Sequence, residues 1–206
     1  MGTDYNKNVF INCPYDKEYR PMKQALMFAV KSCGFTPLLV SMDQDGGTPR
    51  IIKIKDMICN SKYGIHDISR CKASSKGEWY RMNMPFEMGL DLGCHYFSDI
   101  HSDKKHLVLT TEPYSQQPSL SDLSGNDPKC HEDNVNKLIR HVRNFLYCML
   151  PAEEKSQALA ANVIRRQYDN FQSRLYMNYG SDSETLMEME DDEYCAKIDE
   201  FYKGVL

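Results

Sequence analysis

Short apolar runs alternate with amphipathic helical patterns along the first 150 residues, and this alternation constrains the fold more than any other feature. The runs have the length and apolar character of buried strands, and they cover residues 8–13, 35–40, 63–68 and 105–110. Helical spacing follows each run, at residues 22–33, 49–58, 83–97 and 135–150. Because strands that alternate with helices form parallel sheets, we predict a small doubly wound α/β domain over residues 1–150, with helices on both faces of the sheet.

Pro151 marks a change in the pattern, and residues 151–206 are predicted to form a helical C-terminal extension. Its apolar residues fall in two helically spaced sets, at Ile164, Tyr168, Phe171 and Leu175 and at Tyr194, Ile198, Phe201 and Val205. An acidic stretch, residues 182–193, begins between the two sets and is predicted to be solvated. We expect the extension to pack on the domain or on another subunit.

The composition excludes several classes of protein. A net charge of −4 over 206 residues gives no basic surface for nucleic acid. No apolar run approaches the roughly 18 residues of a bilayer span, and the first residues are polar, unlike a signal peptide. The eight cysteines are scattered, and neither Cys94-His95 nor Cys130-His131 has the spacing of a zinc site. We therefore expect reduced thiols, no metal, and a cytoplasmic protein that binds neither membrane nor nucleic acid.

In doubly wound sheets, ligands bind beyond the carboxyl ends of the strands, near the point where the strand order reverses. The loops predicted to meet there are residues 12–16, 42–50, 66–70 and 83–87. The second loop runs from Asp45 through two glycines to Arg50, and Thr48 is predicted to cap the helix that follows. Such a loop suits a phosphate, although a flexible loop explains the same residues.

For other residues near this edge, both a functional role and a purely structural role explain the sequence. Asp67 ends a strand, where its carboxylate could accept ribose hydroxyls. Strand alternation places His66 on the opposite face of the sheet from Asp67, so these two residues are not predicted to form a catalytic dyad. The simpler interpretation of His66 is a structural one, in which the ring is half-buried and its hydrogen bonds are satisfied. Cys13 has no histidine in its segment that would activate it as a nucleophile.

Residues 83–93 are predicted to open a helix, with Asn83 as its cap, Pro85 near its start and Glu87 in its first turn. The residues predicted to share the face that packs on the sheet are Phe86, Gly89, Leu90, Gly93 and Phe97. Glu87 falls at the edge of that face, where it either meets a ligand or only favours the positive end of the helix. Asp91 lies one turn later, at a spacing that is mildly unfavourable for like charges, and its role is left open.

Three of these segments together resemble a group of bacterial TIR-like (toll/interleukin-1 receptor-like) proteins of anti-phage defence. They are residues 9–19, 63–70 and 83–93. The last is similar to the N-x-x-F-E-L-G-x-A-x-G pattern of bacterial TIR effectors and of their relatives, the nucleoside 2-deoxyribosyltransferases. The resemblance covers about residues 7–148 and implies a flavodoxin-like, TIR-like parallel sheet. It departs from the family where Asn12-Cys13-Pro14 replaces a serine-rich loop and where Asp91 replaces a small residue.

The resemblance implies an activity and gives roles to particular residues. TIR enzymes cleave the bond between nicotinamide and ribose in NAD and then hydrolyse, cyclise or transfer the ADP-ribosyl group. Glu87 would be the catalytic carboxylate, Asp67 and Asn83 would orient ribose hydroxyls, and Arg50 or Arg70 would meet the diphosphate. Asn12, Cys13 and Asp16 complete the predicted substrate-binding set because they lie in the first loop of the site. NAD would be the substrate rather than a cofactor.

Further expectations follow from the same resemblance. TIR enzymes generally act as oligomers, so we expect a homo-oligomer, and a nucleotide product could act on a downstream effector protein. Two other functions stay open. One is a nucleoside or nucleotide N-glycosidase or deoxyribosyltransferase that uses the same carboxylate. The other is a non-catalytic, nucleotide-binding sensor that signals through the helical extension.

Overall fold

A five-stranded parallel sheet forms the centre of the computed structural model, which describes residues 4–70, 82–113, 120–123, 125–179, 186 and 188–206. The strands are β1 (Asn8–Asn12), β2 (Thr36–Leu38), β3 (Tyr63–Asp67), β4 (Lys105–Thr110) and β5 (Lys129–Cys130). Their order in the sheet is β2-β1-β3-β4-β5. This confirms the predicted doubly wound α/β fold, with its switch point between β1 and β3. β5 is not among the predicted strands, because two residues carry no detectable pattern.

The principal helices, apart from the four-residue α5, follow the predicted spacing. They are α1 (Arg20–Ser32), α2 (Arg50–Cys59), α3 (Asn83–Phe97), α4 (Val135–Met149), α5 (Ala152–Lys155), α6 (Ala161–Tyr179) and α7 (Asp191–Tyr202). Two predicted caps are wrong. Pro49 rather than Thr48 precedes α2, since the Thr48 hydroxyl donates to Asp45 Oδ2 at 2.6 Å. Asn83 is the first residue of α3 and not its cap. No described helix is both long and apolar enough to cross a bilayer.

Alternation along β1 and β3 decides which side chains meet which helices. Val9, Ile11 and Ile65 enter the main core with α1 and α4. Phe10 points to the opposite face and packs with α2 through Ile54. Because a strand residue and its neighbour lie on opposite faces, His66 and Asp67 at the end of β3 lie on opposite sides of the sheet.

The C-terminal extension packs on the domain, which is one of the two partners predicted for it. The ring of Phe28 in α1 lies 5.4 Å from that of Tyr168 and 5.3 Å from that of Phe171. The acidic stretch is not wholly solvated, because Asp191 is buried and its carboxylate lies 2.7 Å from Lys23 Nζ. Residues 180–185 and 187 of that region lie outside the described residues.

The face of α3 that packs on the sheet is not the predicted one. Phe86 is 57% exposed and Phe97 is 92% exposed. The buried residues of α3 are instead Met84, Pro85, Glu87, Met88 and Asp91. A helical wheel that places the apolar residues inside therefore predicts the wrong buried face of α3. In the structure, the carboxylates of Glu87 and Asp91 lie on the buried face.

Candidate active site

Glu87 lies at the carboxyl edge of the sheet, on the buried face of α3. It belongs to the second turn of the helix rather than the predicted first turn. Only 5% of the residue is exposed, and the ion-pair partner described for its carboxylate is Arg50, whose Nη2 lies 3.5 Å from Oε1. Burial raises the pKa of Glu87, and Arg50 offsets only part of that rise.

Arg50 and Tyr15 form the open side of this site. Arg50 is the first residue of α2, its side chain is 52% exposed, and its guanidinium carbon lies 5.5 Å from the centre of the Tyr15 ring. Lys23 Nζ lies 5.1 Å from the same ring. Asp191 of α7 accepts hydrogen bonds from Lys23 Nζ and from the Ser41 hydroxyl. The extension therefore supplies a charged residue next to the predicted site.

The glycine-containing loop before α2 is held by its own hydrogen bonds. Asp45 Oδ1 accepts from the Gly47 amide at 2.9 Å, and Lys53 Nζ donates to the carbonyls of Asp43 and Asp45. The flexible-loop alternative therefore loses support. Arg50 is the cation that this segment turns toward Glu87.

The first loop holds the start of α3 against β1. Asn12 is buried, and its Nδ2 donates to the Met84 carbonyl at 2.8 Å and contacts His66 Nδ1 at 3.2 Å. Cys13 is fully buried, and burial raises its pKa well above the usual value. Asn83, in contrast, is exposed. Of these three predicted substrate contacts, only Asn83 lies at the surface, and Asn12 instead positions the helix that carries Glu87.

Asp67 lies on the other face of the sheet and is surrounded by donors. Its Oδ2 accepts from the Tyr19 hydroxyl and from His131 Nε2 at 2.9 Å, while Oδ1 accepts from the Ser69 amide at 2.9 Å and from the Ser69 hydroxyl. The residue has no exposed surface. The structure thus uses this carboxylate to join β3, the turn before α1 and the loop before α4, rather than presenting it to a ribose.

Ser69, His131 and Asp67 approach one another but do not form a nucleophilic triad. Ser69 Oγ lies 3.0 Å from His131 Nε2. The Asp133 amide donates to Nδ1 of the same ring at 3.1 Å, so Nε2 carries the proton and donates to Asp67. A protonated Nε2 cannot accept the serine proton, which is the step that activates a serine nucleophile.

Arg70 and Asp16 form a second pair at the same edge of the sheet. Arg70 Nε lies 3.7 Å from Asp16 Oδ2, and Asp16 Oδ1 accepts from the Tyr19 amide at 3.0 Å. Arg70 is half-buried. It stays a candidate for a phosphate group, with Asp16 holding it in place.

Asp91, whose role the sequence leaves open, lies at the centre of a buried cluster. Its Oδ2 accepts from His66 Nε2 at 3.0 Å, and its Oδ1 lies 3.1 Å from Lys104 Nζ and 3.4 Å from His106 Nε2. Burial raises the pKa of Asp91, but the rings of His106 and His66 outweigh it and hold the pKa well below the usual value. Gly64 leaves room for this arrangement, because a Cβ there would clash with Asp91 Oδ2.

The Asp91 cluster contains its own cation. Its imidazole and carboxylate atoms lie within 4.8 Å of one another, as in a metal site. However, the Asn12 amide donates to His66 Nδ1, which leaves the proton on Nε2, facing Asp91. Lys104 Nζ supplies the positive charge and also donates to the Ile58 carbonyl at 2.8 Å. The side chains on the face of β3 that carries His66 therefore have a structural role. The prediction that His66 and Asp67 lie on opposite faces of the sheet is confirmed.

Sequence reasoning missed several residues of these networks. They are Tyr15, Lys23, Lys104, His131 and Asp191. Lys104 precedes a strand and Asp191 lies in an acidic stretch, so both resemble solvated surface residues in the sequence. Their partners lie 13 or more positions away along the chain, and no local pattern reports such pairs.

Comparison with protein-family models, with curated proteins and with solved structures gives no significant match for this chain.

Proposed function

We propose that this protein cleaves the N-glycosidic bond of NAD, with Glu87 as the catalytic carboxylate. One observation carries the proposal. Glu87 is a buried carboxylate at the ligand-binding edge of a doubly wound sheet, and the cation described beside it is loosely placed and half exposed. A carboxylate held in this way is available to a developing positive charge.

The chemistry requires little beyond that carboxylate. When the bond between nicotinamide and C1′ of ribose breaks, nicotinamide leaves with the bonding electron pair as a neutral base. The ribose ring becomes positively charged, and Glu87 stabilises that charge or bonds to C1′. Water, a hydroxyl of the same molecule or another acceptor then attacks C1′ and loses a proton. Hydrolysis, cyclisation and transfer share the first step.

Arg50 supports a substrate that carries phosphate. Its guanidinium lies beside Glu87 and next to the Tyr15 ring, and more than half of its side chain is exposed. Guanidinium groups bind phosphate oxygens in a bidentate manner. A diphosphate that draws Arg50 away from Glu87 would leave the carboxylate facing the ribose. The assembly into a homo-oligomer and the role in phage defence rest on the resemblance alone and stay predictions.

The experiment compares the wild-type protein with Glu87→Gln, which keeps the shape of the side chain and removes its charge. Each protein is incubated separately with NAD and with deoxynucleotides, and free base is measured by chromatography. We expect wild type to release nicotinamide from NAD, and Glu87→Gln to lose at least about 10²- to 10³-fold of that rate. Glu153→Gln, at an exposed position of α5, is the matched control.

Other outcomes would identify the alternatives. Free base from deoxynucleotides alone would indicate a deoxyribosyltransferase or nucleoside N-glycosidase. No release from either substrate, with a Glu87→Gln variant that still functions in cells, would indicate a non-catalytic sensor.

A further inference from the structure

A group of two thiols and one imidazole lies at the opposite end of α3 from the proposed catalytic site. Cys59 is the last residue of α2, Cys94 lies in α3, and His101 ends the short turn Asp99–His101 that follows α3. One ligand atom from each residue lies within 4.8 Å of the others. We propose that Cys59, Cys94 and His101 bind one Zn²⁺ ion.

The geometry is close to that of a bound ion. With Zn–S bonds of about 2.3 Å and tetrahedral angles, two thiolate sulfurs lie about 3.8 Å apart. The three side chains must therefore approach one another by no more than about 1 Å, which side-chain rotation supplies. Three protein ligands leave the fourth position of a tetrahedral ion to a water molecule or another donor.

His101 provides an independent observation. Its Nδ1 atom is buried and finds no hydrogen-bond partner among the described residues. The ring lies 5.7 Å from that of Tyr5, which fixes its position from one side. A buried nitrogen without a partner is unfavourable, and a metal bond made through Nδ1 would satisfy this atom.

The ligand atoms of this site indicate which metal ion it binds. Thiolate and imidazole ligands suit Zn²⁺, whereas hard cations prefer oxygen. Binding one Zn²⁺ to two thiols releases two protons.

The position of the site gives it a structural consequence. Cys94 and Ile58 belong to the apolar cluster between α2 and α3. A bound ion would join the end of α2, the end of α3 and the turn before β4. Seven residues of helix, or about 10 Å, separate Cys94 from Glu87. Zinc binding is thus independent of the function proposed for Glu87.

The test uses the reduced full-length protein after removal of metal with a chelator. Titration with Co²⁺ is followed by its thiolate charge-transfer absorption, and Zn²⁺ affinity is measured by competition with a chromophoric chelator. We expect one equivalent of each metal. Cys59→Ser, Cys94→Ser and His101→Gln should each weaken binding by more than about 100-fold, since even residues around metal ligands contribute about 10- to 100-fold.

Cys148→Ser, at an exposed cysteine, and Cys33→Ser, at a half-buried one, are matched controls that should keep wild-type affinity. Glu87→Gln should also keep it, so loss of activity and loss of metal are distinguishable. Circular dichroism checks folding, and His101→Gln carries the test if a serine variant fails to fold. The proposal is overturned if Co²⁺ shows no thiolate absorption, or if His101→Gln and the folded serine variants retain wild-type affinity.

Discussion

Glu87 and Asp91 lie one helical turn apart on the same buried face of α3, yet their surroundings differ in every respect that controls reactivity. The described cation beside Glu87 is the half-exposed Arg50, at 3.5 Å. Asp91 faces the ammonium of Lys104 and the ring of His66, both fully enclosed. The pKa of Glu87 is raised chiefly by burial, whereas the pKa of Asp91 is lowered because its neighbours outweigh burial.

This difference teaches how two similar carboxylates acquire different tasks. The negative charge of Asp91 is balanced by Lys104 inside the protein, so this charge contributes to holding β3, α3 and Lys104 together. Glu87 is only partly compensated, so its charge is destabilising in the folded protein and is available to a cationic transition state. The two residues should therefore respond to neutralisation with opposite signs in stability, and only one should respond in activity.

The largest effect on stability is expected for Asp91→Asn. This change leaves the Lys104 ammonium buried without its counter-charge, and breaking a buried pair in this way reduces the free energy of unfolding by about 3–5 kcal/mol. Denaturant unfolding at neutral pH measures the loss. Asp91→Asn combined with Lys104→Met should recover part of it, because the uncompensated charge is then removed. A single variant as stable as wild type would contradict the structural role.

Acidification should reduce the difference between wild type and Asp91→Asn. Because the folded pKa of Asp91 is lowered, its stabilising contribution is present above the unfolded pKa of about 3.9 and is lost as pH falls toward the folded pKa. Unfolding curves measured from neutral to acid pH test this. A difference that stays constant below pH of about 3 would show that charge is not the cause.

Glu87→Gln should behave in the opposite way. The raised folded pKa means that the acid form is favoured in the folded protein, so stability linked to Glu87 is present below its unfolded pKa and is lost as pH rises through the folded pKa. The glutamine variant should therefore be at least as stable as wild type at neutral pH, while nicotinamide release falls. Marked destabilisation of Glu87→Gln would assign Glu87 to the structural class together with Asp91.

A pair of glycine variants tests the space that Asp91 occupies. A Cβ at residue 64 would overlap Asp91 Oδ2 and lie 2.8 Å from His66 Nε2, so Gly64→Ala should destabilise by about 1–3 kcal/mol. Gly89 lies on the exposed face of α3, and a Cβ there meets no described atom within 4 Å. Gly89→Ala should stabilise by up to about 1 kcal/mol. Thermal unfolding of both variants measures the contrast, and equal effects would contradict it.

The smallest change in stability is expected for Arg50→Met. Arg50 is half exposed, so loss of its ion pair should change stability by less than about 1 kcal/mol. The pH–rate profile is more informative. Arg50 lowers the pKa of Glu87 against the effect of burial, so removing it should move the acidic limb of NAD cleavage to higher pH. An unshifted limb in the pH profile of kcat/KM, which reports the free enzyme, would show that another group controls ionisation.

The elements of this fold were largely predictable, whereas the networks of the site were not. The strand from residue 105 to 110 matches its prediction, because burial imposes an apolar pattern that the sequence itself displays. Gly34 follows α1 with a φ of 80°, as expected for a helix-ending glycine. The predicted buried face of α3 is wrong because the helical wheel assumes that apolar residues face inward. Phe86 faces outward while Asp91 lies inside, paired with a lysine 13 positions away.

The sequence by itself determined the parallel doubly wound sheet and placed Glu87 at its ligand-binding edge, since strand and helix periods are local properties and the order of elements restricts the topology. Only the tertiary structure decided which buried carboxylates have fully enclosed partners and which one lies beside an exposed partner. Asp67 and Asp91 are each held by residues from distant elements, whereas the cation described beside Glu87 is the half-exposed Arg50. The physical reason is that the ionisation and reactivity of a carboxylate depend on burial and on nearby charges, and these arise from contacts between segments that are remote in the chain.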